Sequence, residues 1–265
     1  MKAQKIHLQS YPTATAASKG ALLFVHGGYV NSSCWEYNFI PFFQGNGYDC
    51  FALDLSGHGR SNGRDCLDEF GLDDFAKDLA YATQKIGRQT TLIGHSMGCR
   101  VIERFLVDGK AEAAIFLSPV PTTGTISSAF QLALRYPTFF QSLNDILNGN
   151  ISEEVADLMT KIYFSPDISP IEAQKYLPMV GPESARALAE MALPEFSLSV
   201  RRPKLPALVI GGVNDAVFPP SMLHFMGSSW NAEVHRVEGA GHMVMLDPQW
   251  EDVATHMLDW MGTKN

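Results

Sequence analysis

The chain has 265 residues, is 46% hydrophobic, and sets 20 Lys and Arg against 28 Asp and Glu for a formal net charge of -8 at pH 7. That apolar content can fill the core of one α/β domain carrying an insertion, while the acidic balance withholds the electrostatic footing of a nucleic-acid partner. Met1 to Ser10 lacks the apolar core of a signal peptide and no later run reaches the length of a membrane span, so the expectation is a soluble, cytoplasmic protein.

The four cysteines, Cys34, Cys50, Cys66 and Cys99, are widely spaced with no C-x-x-C pair. That spacing suits reduced thiols better than a disulfide framework or a metal site.

Lys5 to Tyr11 reads as an edge strand. Ala21 to Val25 is a continuous apolar run, as expected of a strand covered on both faces. It ends in His26-Gly27-Gly28-Tyr29, whose glycines leave backbone N–H groups unobstructed, and the Gly28 N–H is a candidate donor to an oxyanion. Trp35 to Phe43 carries an aromatic-rich helical face that Pro41 limits. Cys50 to Asp54 is a further buried strand, and Ser56 to Ser61 a tight Gly/His/Ser connection. From Leu72, apolar residues at 72, 75, 79 and 86 mark a helix with Asp73 and Asp74 in its first turn, stopped by Gly87.

Thr91 to Ile93 leads into Gly94-His95-Ser96-Met97-Gly98, a serine between two glycines, and then into a helix with Val101, Ile102, Phe105 and Leu106 on one face, closed by Gly109. A tight strand-to-helix turn of this kind pushes the serine hydroxyl outward and aims the Met97 N–H where negative charge would develop on an attacked carbonyl. Cys99 follows directly; a small buried packing residue fits it better than a nucleophile.

Ala113 to Leu117 is the next strand. The alternation so far predicts a mostly parallel sheet flanked by helices. It breaks at Pro119. Residues 120–202 show short helical patterns punctuated by proline, among them Val155, Leu158, Met159 and Ile162 behind a Ser152 cap. This block is expected to be a helical lid inserted into a core made of residues 1–119 and 203–265. Tyr29, Trp35, Phe130, Phe139, Met159 and Val217 are the candidate substrate contacts, with Phe140 and Met179 sharing the lid's apolar surface.

Strands resume at Ala207 to Ile210, followed by Gly211 to Asp215, and at Val234 to Val237, followed by the glycine-rich loop Glu238 to His242. Asp247-Pro248 is expected to cap a C-terminal helix with Trp250, Val253 and Met257 turned inward. Among eight histidines, His242 alone combines a glycine loop after a late strand with an upstream acid. His26, His58 and His95 sit beside tight turns, where bonds to backbone suit them. Asp54 and Asp215 both follow strands; Asp215 is preferred because its loop neighbours that of His242, although an Asx turn would also explain it.

His26-Gly27-Gly28, Asp54 to Ser61, Gly94 to Gly98, Gly212 to Asp215 and Gly241-His242 together resemble the α/β-hydrolase superfamily, in its esterase, monoacylglycerol lipase and lysophospholipase-like branch. The resemblance spans the chain outside the lid. It implies an α/β-hydrolase fold of about eight strands, a Ser96, Asp215 and His242 triad, and an oxyanion hole of the Gly28 and Met97 N–H groups. It departs at Cys99, where relatives have glycine. The implied activity is cleavage of a small-molecule ester through an acyl-enzyme, without metal or organic cofactor. The same triad would serve thioesters, lactones or carbon–carbon bonds beside a carbonyl, and a ligand receptor with little turnover is the alternative of another class. Oligomeric state is left open.

Overall fold

The computed structural model describes residues 5–148, 150–194 and 202–263, so the readings of residues 1–4 and of stretch 195–201 lie outside the described residues. Seven strands, β1 (His7–Tyr11), β2 (Ala21–Val25), β3 (Asp49–Asp54), β4 (Thr91–His95), β5 (Ala113–Leu117), β6 (Ala207–Gly212) and β7 (Glu233–Val237), form one sheet in the order β1-β3-β2-β4-β5-β6-β7. Among the described residues that is one strand fewer than the family resemblance implies. β1 pairs antiparallel with β3 at one edge; every other pair is parallel.

The central strands are apolar on both faces because both faces are covered. Leu22, Phe24, Ile93, Ile115, Leu208 and Ile210 point to a core shared with α1 (Phe39–Gly45) and the C-terminal helix Trp250–Gly262. Their alternates Leu23, Val25, Leu92, Phe116 and Val209 point to the opposite core, built with α2 (Leu72–Ile86), α3 (Met97–Phe105) and the helix Met222–Trp230. The aromatic stretch after β2 is not one helix. A 3-10 turn at Ser32–Trp35 precedes α1, and Pro41 lies in the first turn of α1, where its missing N–H would have had no intrahelical partner. α3 ends at Phe105, short of the Gly109 expected to close it.

Between β5 and β6 the described chain is helical: α4 (Ile126–Arg135), α5 (Phe139–Leu147), α6 (Glu153–Tyr163), α7 (Pro170–Gln174) and α8 (Ala185–Ala192). Ser152 caps α6 as read, its hydroxyl accepting from the Val155 N–H. Leu132, Phe139, Leu143, Ile146, Val155, Met159 and Ile162 make a third apolar cluster joining α4, α5 and α6. No helix among the described residues is long and apolar enough to cross a membrane.

The sheet's topology places a crevice. From β2 the chain moves outward to β3, then returns to lay β4 on the other side of β2, so the loops after β2 and β4 diverge at the carboxyl edge. In open parallel sheets such a reversal is where ligands bind. Buried carboxylates brace that edge. Asp54 accepts from the Ser32 and Arg60 N–H groups at 2.9 Å each, and Asp78 accepts from Ser56 through both its N–H and its hydroxyl.

Asp247 corrects the capping expectation. The C-terminal helix begins after Gln249, without a side-chain cap. Asp247 is instead fully buried, accepting from the Ser165 N–H at 2.8 Å and the Gly241 N–H at 2.6 Å. Two backbone donors in the interior outweigh a partly solvated helix end.

Two stability predictions follow from buried charge. Glu103 is gripped by Arg100 and Arg202 at 2.8 Å each and by the Trp230 indole N–H at 3.0 Å; removing it strands a buried guanidinium. Glu103→Ala should cost roughly 3–5 kcal/mol in urea unfolding. Burial also pushes the Asp247 carboxyl up to about 6, partly offset by its two N–H donors. Since that folded value lies above the unfolded one, stability contributed by the protonated form is full below the unfolded value and is lost as pH rises through about 6. The stability of Asp247→Asn relative to wild type should therefore rise by roughly 2–3 kcal/mol between pH 4 and pH 7.

Candidate active site

Ser96 occupies the turn between β4 and α3 at φ 50 and ψ -114, a region an L-residue adopts only when its surroundings force it. Its N–H donates to the Leu117 carbonyl at 2.9 Å, tying the turn to β5. The flanking glycines are steric necessities: a Cβ on Gly94 would lie 2.8 Å from the Cys99 nitrogen, and one on Gly98 only 2.3 Å from the Val25 carbonyl oxygen. Met97 opens α3, where backbone N–H groups have no partner inside the helix and the dipole favours negative charge. Cys99 is buried with its thiol against the Gly94 carbonyl, and burial pushes that thiol well above its ordinary range. It packs; it is not poised to attack.

His242 follows β7 and Asp215 follows β6. The two meet with His242 Nδ1 2.8 Å from Asp215 Oδ2, both side chains buried. A carboxylate accepts, so Nδ1 donates its N–H to Asp215, and Nε2 is the ring nitrogen left for other partners. The Asx turn is present as well, since Asp215 Oδ1 accepts from the Val217 and Phe218 N–H groups at 2.8 Å each. Those bonds fix the carboxylate while its other oxygen holds the imidazole. Asp54, the competing acid, has both oxygens committed to backbone donors.

His26 and His95 bind backbone, as read, whereas His58 faces the Ser56 carbonyl with one nitrogen and the Glu183 side chain with the other. His95 Nε2 donates to the His242 carbonyl at 3.0 Å, tying the His242 loop to β4, and burial holds its pKa well below the ordinary value. His26 Nδ1 donates to the Gly27 carbonyl at 2.8 Å, and its Nε2 accepts from the Leu55 N–H. A ring with one donor and one acceptor in use is neutral. Consistently, burial first and His58 second bring His26 down to about 4, against the pull of Asp54.

Ser96, Met97, Gly28, His95 and His242 all line one cavity of about 230 Å³ beneath the helical insertion. Tyr29, Phe139, Met159 and Val217 line it as expected, as do Phe140 and Met179. Two expected contacts do not. Trp35 is wholly buried on the far side of the 3-10 turn, packed on Phe24 and Phe39 in the core. Phe130 is 64% exposed, because the face of α4 toward the cavity carries Ser128, Ala129 and Leu132 instead.

Sequence reasoning missed Tyr163 and Phe218, whose rings meet the His242 imidazole edge-on at 6.0 Å and 5.2 Å. It also missed Glu183, buried against the glycine loop. Tyr163 closes an ordinary apolar helix face and Glu183 looks like a helix-capping acid, so neither announces itself locally. Among the described residues no three His, Cys, Asp or Glu side chains converge as metal ligands.

Comparison with known proteins agrees with this geometry at the level of the fold. The chain is 24% identical over 239 residues to N-formylmaleamate deformylase of Pseudomonas putida, covering 88% of this chain and 84% of that protein. It is 26% identical over 251 residues to a non-heme chloroperoxidase of Streptomyces lividans, covering 86% and 87%. Among solved structures, a thermophilic esterase from Thermogutta terrifontis superposes with a TM-score of 0.75 at 19% identity, covering 98% of this chain and 94% of that one. Residues 22–255 match the alpha/beta hydrolase family, and the chain accordingly belongs to it, a hydrolase of the α/β-hydrolase superfamily.

Proposed function

We propose that the protein is a serine hydrolase of carboxylic esters with uncharged, apolar acyl groups. The observation that carries this reading is the 2.8 Å hydrogen bond that His242 Nδ1 donates to Asp215 Oδ2, which leaves the other imidazole nitrogen available in the same cavity as the Ser96 hydroxyl. His242 Nε2 removes the Ser96 proton as Oγ attacks the ester carbonyl; Asp215 stabilises the imidazolium that forms. The Gly28 and Met97 N–H groups receive the oxyanion. Collapse expels the alcohol, protonated by His242, and water repeats the sequence on the acyl-enzyme. Each oxyanion donor is worth roughly 10²–10³ in rate. In this reading residues 120–202 act as a lid over a core of residues 1–119 and 203–265, with α4, α5 and α6 supplying the acyl-side wall.

The cavity wall favours a neutral substrate. Leu132, Phe139, Leu143, Ile146 and Met159 face it, and no Lys, Arg, Asp or Glu of the described residues lines it. A substrate carboxylate, as borne by a maleamate, would have no cationic partner there. Desolvating an unpaired charge is costly.

Ser96→Ala should fold normally, lose ester turnover by roughly 10⁴-fold or more, and no longer be labelled by a fluorophosphonate; undiminished labelling would remove Ser96 from its role. A p-nitrophenyl ester series gives the second test. From acetate to hexanoate, kcat/KM should rise three- to fourfold per methylene, from about 0.8 kcal/mol each. An acyl chain ending in carboxylate should react about 100-fold more slowly than its methyl-ended counterpart, and an equal rate would contradict the apolar pocket.

A further inference from the structure

One short stretch of the insertion grips the backbone of residue 29 from both sides. The Tyr29 carbonyl accepts from the Gly181 N–H at 2.8 Å, and the Tyr29 N–H donates to Glu183 Oε2 at 3.2 Å. Nearby, the Asn31 side-chain amide donates to the Met179 carbonyl at 3.1 Å. Tyr29 itself sits at φ 63, a left-handed conformation that a non-glycine residue holds only under such restraint.

Glu183 is 7% exposed and fully engaged. Its Oε1 accepts from the Ser184 N–H at 2.7 Å, and its Oε2 lies 3.0 Å from His58 Nε2. His58 Nδ1 is 3.0 Å from the Ser56 carbonyl. A carbonyl only accepts, so His58 Nδ1 donates to it, and a proton must lie between His58 Nε2 and Glu183 Oε2, which leaves the pair without net charge. The ring is packed at 5.0 Å from His26 and 5.6 Å from Phe75. A Cβ on Gly28 would stand 3.3 Å from Glu183 Oε2, so the carboxylate abuts the residue whose N–H is assigned to the oxyanion.

We propose that Glu183, charge-balanced by His58, is a positioning residue that orients the Gly28 N–H toward the oxyanion; this rests on the serine-hydrolase reading above. Glycine imposes little backbone preference of its own, so the direction of its N–H is set by what holds the peptides around it. Glu183 holds the Gly28–Tyr29 peptide by its N–H, and Gly181 holds the next one by its carbonyl. An uncompensated carboxylate so close would oppose a developing oxyanion. The proton held between His58 Nε2 and Glu183 Oε2 cancels it.

The test uses the full chain with p-nitrophenyl butyrate, active sites being counted by fluorophosphonate titration so that rates refer to folded, competent protein only. Glu183→Gln should lower kcat per titrated site by roughly 10- to 100-fold, the scale of a small misplacement of a catalytic group, with KM within threefold. His58→Gln, which leaves the carboxylate unbalanced, should lose more, and the double variant should recover to the level of Glu183→Gln alone. Affinity for a trifluoromethyl ketone, which forms the tetrahedral adduct, should fall in step with kcat/KM. Should Glu183→Gln yield too little folded protein, Glu183→Asp, which keeps the charge but shortens the reach, should show the same loss in kcat with KM held. A kcat per titrated site within twofold of wild type in the Glu183 and His58 variants would overturn the proposal. Failure of the underlying reading shows differently: wild-type protein would resist labelling and Ser96→Ala would keep its turnover.

Discussion

The contact on which the site depends is the approach of the α3 N-terminus to the end of β2. Gly98 lies so close to the Val25 and His26 carbonyls that a Cβ there would fall 2.3 Å and 2.6 Å from their oxygens. Only that approach lets the turn at Ser96 and the loop at Gly28, which leave the sheet on adjacent parallel strands, face each other across one crevice. The register of the sheet does the rest. Gly94 stands beside Val25 and His95 beside Leu117, while Leu117 stands beside Ile210, so the strands that launch Ser96 and the glycine loop finish together at the sheet edge and β6 runs on to Gly212 before the Asp215 loop. A one-residue slip at any of these pairs would turn one of these loops toward the wrong face.

Around that crevice four histidines lie buried, and each owes its state to what its nitrogens touch. His26 has one acceptor and one donor as neighbours and is neutral; His95 donates to a carbonyl and is depressed by burial; His58 faces two acceptors; His242 faces a carboxylate on one side and the cavity on the other. The environment thus separates chemically identical side chains into buried braces and one ring that faces the cavity. The same division applies to the acids: Asp54 and Asp247 spend their oxygens on backbone donors, Asp78 takes the N–H and hydroxyl of Ser56 on one oxygen, and Asp215 divides its two between backbone and imidazole.

What the sequence disclosed follows the range of the forces involved. The buried strands, the glycine-flanked serine and the Ser152 cap are local, written in runs of a few residues, and they stand where they were read. The meeting of Asp215 and His242 was legible because each follows a late strand and their loops are neighbours in chain order, which set Asp215 ahead of Asp54. Orientation was less legible. Phe130 shares an apolar helix with Leu132, and with both faces of α4 greasy nothing local says that Ile126, Phe130 and Leu134 point outward. Trp35 belongs to an aromatic stretch whose direction changes at a 3-10 turn, which carried the indole into the core. Asp247 next to Pro248 resembles a cap, but two backbone donors claim it, one of them 82 residues away. The bond between Glu183 and His58 spans 125 residues. Long-range polar pairs of this sort leave no periodic trace.

The helical stretch between β5 and β6 is bonded to two loops of the sheet's carboxyl edge. It holds the glycine loop through Gly181 and Glu183, and it holds the histidine loop through the Tyr163 carbonyl, which accepts from the Met243 N–H at 2.9 Å, and through Ser165, which shares Asp247 with Gly241. Phe164 completes the arrangement: a Cβ on Gly241 would lie 2.5 Å from its carbonyl carbon, so the loop preceding His242 is pressed directly against the insertion's backbone. A core with the insertion removed would keep its sheet, since the two principal apolar clusters draw chiefly on the strands and their flanking helices. It would lose the donors and acceptors that aim the Gly28 N–H and the His242 ring. Fold and chemistry thus draw on different parts of the chain, and exchanging the insertion should alter catalytic geometry as directly as it alters the pocket.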